Sequence, residues 1–519
     1  MTKLTHELER VLSTDVNSSI LVDTVNDRSY SKAEILQKIN RFQEQLQQLR
    51  LSQPGIILTA SGNSVDFVVR FFTEIFSGLT MYAVNPNLKV EELADIAKQN
   101  QLSAVILNHN YEDQFTNFAQ LSGIDFDEAL ELPNGDTIHR VSDQEIIEHH
   151  FDFPDKNEPE EQYASLLYNS GTSGRPKAVG INHKQVFAAA KSVIESHNLS
   201  SSDIGYQILP LFHVNGQIIA LISQILAGGK LVIPEKFSAS KFWPQIEKYH
   251  ITWASAAPAI IGILNKTKSN AAEYLNLPKG QKSLRFLRSA SAPLSKKTAD
   301  LFQKNFGILL VESYGMTEAA GQISVNPQRK NGQKLGSVGL PTVEKLTIRD
   351  SDSHQEKKVG EIGEIALSGP SVIQKYLWSE NKKDFVDGWF YTGDLGYLDE
   401  DNYLFIVGRK KEIINRSGDK ISPTTIEEPF RKLSEIDDLV ALAIPDEIYG
   451  EVPALVVQTS FNDLKKLKFD LENISKNSLS PIEQPVKFFL SKKLIKNAMN
   501  KVQRRKIQKQ ISIGRLKQL

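Results

Sequence analysis

Apolar residues along this chain recur with two periods. After Ser31-Lys32-Ala33-Glu34, spaced as a capping box, Ile35, Leu36, Ile39, Phe42, Leu46 and Leu49 follow at helical spacing and predict an amphipathic helix. Ile56–Leu58 and Met81–Val84 are short apolar runs that predict buried strands. Residues 90–101 predict another helix and Ala104–Leu107 the next strand. Strands alternating with helices imply parallel sheets covered by helices, so the expected fold class is α/β. Ile308–Val311 and Leu439–Ile444 are further strand candidates. No fixed-period repeat is evident, and the polar stretch from Asp152 to Gln162 predicts a loop.

Composition narrows the class of protein but not its substrate. A chain of 519 residues is too long for one ordinary core and implies several compact units. A net charge of -1 gives no global field toward nucleic acid or membrane, so neither is an expected partner. The chain has no cysteine, which excludes thiolate metal sites, disulfides and a thiol nucleophile. Residues 1–7 lack the apolar core of a signal peptide, and the run from Ile218 to Ala227 is too short for a membrane span. A cytoplasmic protein is expected; composition gives no reading of oligomeric state.

The candidate chemistry begins at Tyr168-Asn169-Ser170-Gly171-Thr172-Ser173-Gly174-Arg175-Pro176-Lys177. Glycines admit phosphate oxygens to backbone N–H groups, hydroxyls add neutral donors, and Lys177 adds charge. A Walker A loop would need Gly-Lys-Ser/Thr opening a helix, whereas Pro176 separates Gly174 from Lys177 here. Glu312-Ser313-Tyr314-Gly315-Met316-Thr317-Glu318 follows the apolar run ending at Val311, so a strand end opens onto a flat ring, a hydroxyl and a hard carboxylate. Tyr391-Thr392-Gly393-Asp394 offers a carboxylate suited to two neighbouring hydroxyls, although Thr-Gly-Asp also occurs in plain turns. Asp399 and Gly408-Arg409-Lys410-Lys411 follow it. Near the end, Lys501 stands in Lys496-Asn497-Ala498-Met499-Asn500-Lys501-Val502; its simpler reading is a solvated basic tail, since no acidic residue follows Glu483.

Taken in order, these motifs resemble those of the AMP-forming, adenylate-forming enzymes, the superfamily of acyl-CoA synthetases, luciferases and peptide-synthetase adenylation domains. The resemblance implies a large N-terminal domain, residues 1–409, with parallel-rich sheets flanked by helices. It also implies a small, mobile α+β C-terminal domain, residues 410–519, turning about a hinge at Lys411. It implies that Ser170, Gly171, Thr172, Ser173, Gly174 and Lys177 hold the polyphosphate of ATP. Tyr314 would lie against adenine with Gly315 beside it in the nucleotide site, Thr317 would contact the α-phosphate, Glu318 would help hold magnesium, Asp394 would accept from the ribose hydroxyls, and Arg409 would also contact the nucleotide. Lys501 would bridge the reacting carboxylate and the α-phosphate; relatives have glycine where Asn500 precedes it, and asparagine tolerates the same positive φ.

The implied activity is ATP-dependent ligation of a carboxylic acid to CoA through an acyl-adenylate. Lys411 to Pro423 resembles stand-alone acyl-CoA synthetases, and Gly418 would suit a narrow passage for the pantetheine arm. Loading of a separate carrier protein and a catalytically silent nucleotide-binding relative are the alternatives. For the acid, Leu209-Pro210-Leu211-Phe212-His213-Val214-Asn215-Gly216 resembles the family's histidine motif, which places His213 near the reacting carboxylate. The facing wall would be Arg288 to Leu294, with Ser289, Ala290 and Ser291 leaving space. Several of these segments resemble oxalyl-CoA synthetases, but those relatives carry histidines where this chain has Asn215 and Gly321. Oxalate, another short or medium acid and an aromatic acid therefore all stay open.

Overall fold

The capping box forms as its spacing predicts. Ser31 Oγ accepts from the Glu34 N–H at 3.2 Å, Glu34 Oε2 accepts from the Ser31 N–H at 2.8 Å, and helix Lys32–Gln48 buries Ile35, Ile39, Phe42 and Leu46. The second expected helix spans Val90–Lys98 and ends at its C-cap Gln99, short of residue 101. The computed structural model describes residues 1–51, 53–142, 154, 157–169, 177–334, 336–377, 382–496 and 502–519.

Among the described residues, the short apolar runs assemble into a seven-stranded and a nine-stranded sheet. In the first, Ile56–Ala60 lies between Thr80–Ala83 and Ala104–Leu107, parallel to both. In the second, Lys230–Ile233, Ile204–Tyr206, Trp253–Ala256, Phe286–Ser289 and Leu309–Met316 run parallel in that order. Strands buried on both faces need near-continuous apolar sequence, which is how these runs read. One core joins the sheets, drawing Met81, Val179, Leu231 and Ile323 together with Val68 and Phe72 of helix Val65–Ser77 and Val186 of helix His183–His197.

Two sheets go beyond the parallel pattern. Lys345–Arg349, Gly363–Ser368, Phe385–Val386, Trp389–Leu398 and Leu404–Arg409 form a five-stranded antiparallel sheet. From Ile414 onward a six-stranded mixed sheet includes the expected strand, observed as Asp438–Asp446, and closes its own core around Ile426, Phe430, Leu455 and Leu471. The architecture is thus mixed α/β, with a large N-terminal part and a smaller C-terminal one. Among the described residues, no helix is long and apolar enough to cross a membrane.

The strand containing Val311 does not end there. It runs from Leu309 to Met316 because Gly321–Val325 folds back against it, with Tyr314 opposite Ser324. A Cβ on Gly315 would lie 1.7 Å from the Gly321 carbonyl oxygen, so this crossing admits only glycine. Thr392-Gly393-Asp394 likewise lies within a strand, Trp389–Leu398, rather than in a turn.

Candidate active site

Tyr314 and Asp394, eighty residues apart, meet where the nine-stranded and antiparallel sheets approach. The Tyr314 hydroxyl donates to Asp394 Oδ2 at 2.5 Å, and Arg409 Nε lies 2.9 Å from Oδ1. Asp394 and Arg409 are cross-strand partners, so the sheet register itself pairs them. Asp394 is only 4% exposed, which makes the paired guanidinium its compensation for lost hydration. Burial, then the Asp394 charge, pushes the Tyr314 hydroxyl up. Asp394, ahead of an opposing desolvation, raises Arg409, with Tyr314, Glu412 and Glu318 adding to the same field. Beneath them, the Gly393 N–H donates to Glu364 Oε1 at 3.1 Å, and Lys410 Nζ pairs with Glu364 Oε2 at 3.0 Å. Asp399 serves elsewhere, paired with Lys334 at 2.5 Å.

Thr317 opens the short 3-10 turn Thr317–Ala319 that ends the strand. This turn carries Glu318, which is buried and accepts from the Tyr376 hydroxyl through Oε1 at 3.0 Å. Burial and the Glu318 charge push the Tyr376 hydroxyl far above its ordinary value. Among the described residues, no group of three or more His, Cys, Asp or Glu could hold a metal unaided. Magnesium characteristically takes one or two carboxylates plus substrate phosphates, so a single hard carboxylate beside a nucleotide site fits that ion.

Ser170, Gly171, Thr172, Ser173, Gly174 and Lys501 lie outside the described residues. Lys177 opens strand Lys177–Asn182 and is the register partner of Asn169. Lys496 and Val502 form an isolated antiparallel bridge.

On the acyl side, His213 is half-buried, with its ring centroid 4.5 Å from that of Phe212. Asn215 opens a π-helix, Asn215–Ile222, and Ile218 O accepts from both the Ser223 N–H and, at 2.9 Å, Ser223 Oγ. Hydrogen bonds spanning five residues are rare and occur frequently at functional sites. Gly321 has φ +120°, and a Cβ there would lie 2.6 Å from Ile219 Cδ1, so its strand touches this helix. Ser289 and Ala290 are buried, and Ser291 has φ 76°. Asn215 Oδ1 and Ser289 Oγ are buried without a hydrogen-bond partner.

Sequence reasoning passed over Arg288, the first residue of that wall. It is 1% exposed, donating through Nη1 to Ser255 Oγ at 3.0 Å and through Nε to Gln322 Oε1 at 3.4 Å. Burial lowers it to about 9, so it stays protonated at neutral pH. An arginine interrupting the apolar run Phe286-Leu287 was the available signal. Tyr376 and Glu364 were also missed and carried no motif.

Lys411 is exposed in the turn Lys410–Glu412. Its neighbour Glu412 pairs with Arg504 Nη1 at 2.7 Å, and Arg504 Nη2 pairs with Glu427 at 2.7 Å. Gly418 is exposed with φ +101°, and a Cβ there would meet no atom within 4 Å; in this structure backbone conformation, not crowding, asks for glycine.

Residues 8–377 match the AMP-binding enzyme family. An oxalate–CoA ligase of Arabidopsis thaliana is 32% identical over 462 residues, covering 87% of this chain and 88% of that protein. A sulfoacetate–CoA ligase of Cupriavidus necator is 37% identical over 300 residues, 57% of each chain. Among solved structures, ATP-bound MatB from Rhodopseudomonas palustris superposes with TM-score 0.82 at 22% identity, covering 97% of this chain and 98% of that one. The chain belongs to the AMP-binding enzyme family. Within it, this protein is an acid–CoA ligase.

Proposed function

We propose that the chain joins a short, polar carboxylic acid to CoA, using the residues singled out above. In the first half-reaction an acid oxygen attacks the α-phosphorus of ATP, the bond to the bridging oxygen breaks, and pyrophosphate leaves with that oxygen. In the second, the CoA thiol gives up its proton, its sulfur attacks the acyl carbonyl, and AMP departs. The single observation carrying the assignment is the cluster of Tyr314, Asp394 and Arg409, with Glu318 in the same field. Asp394 and Arg409 bind the ribose, Tyr314 and Gly315 cover adenine, Thr317 donates to the α-phosphate, and Ser170 to Gly174 with Lys177 hold the β- and γ-phosphates. Magnesium, when bound beside Glu318, neutralises charge on the phosphate oxygens. Lys501 neutralises charge growing between the carboxylate and the α-phosphate.

The domain boundary belongs to the same reading, with residues 410–519 turning about Lys411. Arg504, Glu412 and Glu427 all lie beyond Lys411, so their ion pairs make the turn and the helix following Lys501 move as one body. Rotation withdraws Lys501 and presents Gly418 to CoA.

The choice of acid rests on the pocket. Ser289, Ala290 and Ser291 are small, and Gly321 lies against Ile219 of the π-helix. The two relatives described above are named for oxalate and sulfoacetate, both two-carbon acids. The test is acid-dependent pyrophosphate release and thioester formation across a panel of acids. Lys501→Ala should lower adenylation by roughly 100- to 1,000-fold while retaining thioester formation from supplied acyl-adenylate. Faster turnover of a long-chain or aromatic acid than of every two- or three-carbon acid would sink the proposed acid class.

A further inference from the structure

We infer that Arg288 reads a second negative charge on the acid, so that the preferred substrate carries a carboxylate or sulfonate besides the carboxylate that is activated. The inference rests on the short, polar acid proposed above and narrows it.

The position comes from the strand. Arg288 lies two residues after Phe286 in Phe286–Ser289, so both project from one face of the sheet. Phe286 packs with Ile219 and Ala220 of the π-helix. The bonds to Ser255 and Gln322 then hold the guanidinium in the layer between the sheet and the helix that begins at Asn215. Gln322 directly follows Gly321, and Ser289 directly follows Arg288.

The charge balance distinguishes this arginine from the others. Arg70, also buried, pairs with Asp136 at 2.6 Å, Arg285 pairs with Asp203 at 2.7 Å, and Arg504 pairs with two glutamates. Among the described residues, Arg288 has only neutral acceptors and no carboxylate partner. Glu312 stands opposite Ser289 in the register, not opposite Arg288. Nearby His197 is pushed well down by burial and then by the Arg288 and Arg285 charges, so it is neutral at pH 7. A buried, unpaired cation is a standing desolvation cost that an arriving anion relieves. A small dianion has the converse problem, since its second charge needs buried donors. The planar guanidinium matches carboxylate and sulfonate oxygens.

The experiment compares each dianion with its neutral-ended partner: oxalate with oxamate, malonate with malonamate, and sulfoacetate with acetate and propionate. kcat/KM is measured by acid-dependent pyrophosphate release on the full chain, for wild type and for Arg288→Gln, Arg288→Met and Arg288→Lys. Wild type should favour at least one dianion over its partner by roughly 100-fold. The Gln and Met variants should bring that ratio near unity, and the Lys variant should keep part of it. A ratio taken within one protein cancels differences in folded fraction, and the wild-type preference is measurable even if no variant folds. Variants that keep the wild-type ratio would overturn the role of Arg288 and leave the acid class standing. A wild type preferring acetate or propionate to every dianion would also overturn the inference, with the short-acid reading intact. Preference for long or aromatic acids would remove both.

Discussion

The proposed nucleotide side and the proposed acyl side of this site share one strand pair yet treat buried polar groups in opposite ways. On the nucleotide side, both Asp394 oxygens are engaged, one by Tyr314 and one by Arg409, and Glu364 beneath them is paired with Lys410. On the acyl side, Arg288 has no counter-charge among the described residues, and Asn215 Oδ1 and Ser289 Oγ have no partner. ATP is the same in every turnover, so its receptor can be held rigid by the protein's own bonds, which is how preorganisation lowers a binding cost. Groups that select the acid gain most from interactions made only with the correct one, because leaving them unpaired with a wrong acid penalises it.

The comparison can be broken at several points. The largest effect is expected for Asp394→Ala, which removes the proposed ribose acceptor and strands the Arg409 guanidinium. kcat/KM for ATP should fall by roughly 1,000-fold with every acid alike, and an acid-dependent loss would contradict the division. Glu318→Gln comes next. It should raise the magnesium concentration needed for half-maximal rate by about tenfold or more, without changing the order of preference among acids. Ser289→Ala should act on the other side only, raising KM for the acid by about tenfold and leaving KM for ATP in place; a matched rise in both would merge the two regions.

The smallest effect concerns Glu312, between the two sides. Burial pushes its carboxyl up to about 7. In the unfolded chain it ionises near 4.5, so between those values the folded state binds more protons than the unfolded one. This group's contribution therefore weakens as pH rises from about 4.5 to 7. Glu312→Gln should raise Tm relative to wild type at pH 8, with the gap shrinking toward pH 5. A gap that widens on acidification would mean the carboxyl is not held protonated.

How much of this was readable from sequence follows the same division. Ile56–Leu58 and Ala104–Leu107 announced parallel strands because a strand buried on both faces must be apolar throughout. Tyr314, Glu318 and Asp394 stood out because they fall in motifs ordered as in the family, and the fold brings Tyr314 and Asp394 together. The antiparallel sheet around Trp389–Leu398 was not foreseen, since its strands carry polar residues such as Asp394 that resemble turn signals. Arg288 was quoted within the pocket wall, but its isolation depends on residues from three other segments. Only the folded arrangement shows that Ser255, Gln322 and His197 surround it with no acid among them.

The π-helix Asn215–Ile222 has a bearing on how such a chain could change its preference. Each of its hydrogen bonds closes over five residues, where an α-helix closes over four. Loss of one residue from this stretch would let it relax toward α geometry. The extra residue is what the wider turn absorbs, so the segment ahead of the deletion would swing by only a fraction of a turn as the stretch closes. Asn215 and its neighbour His213 would be re-aimed together, with the anchoring segment from Ser223 left in place. Point substitution edits such a wall one side chain at a time, whereas a single codon gained or lost here would turn the whole leading edge, so divergence between ligases of this kind can be written in length as well as in letters.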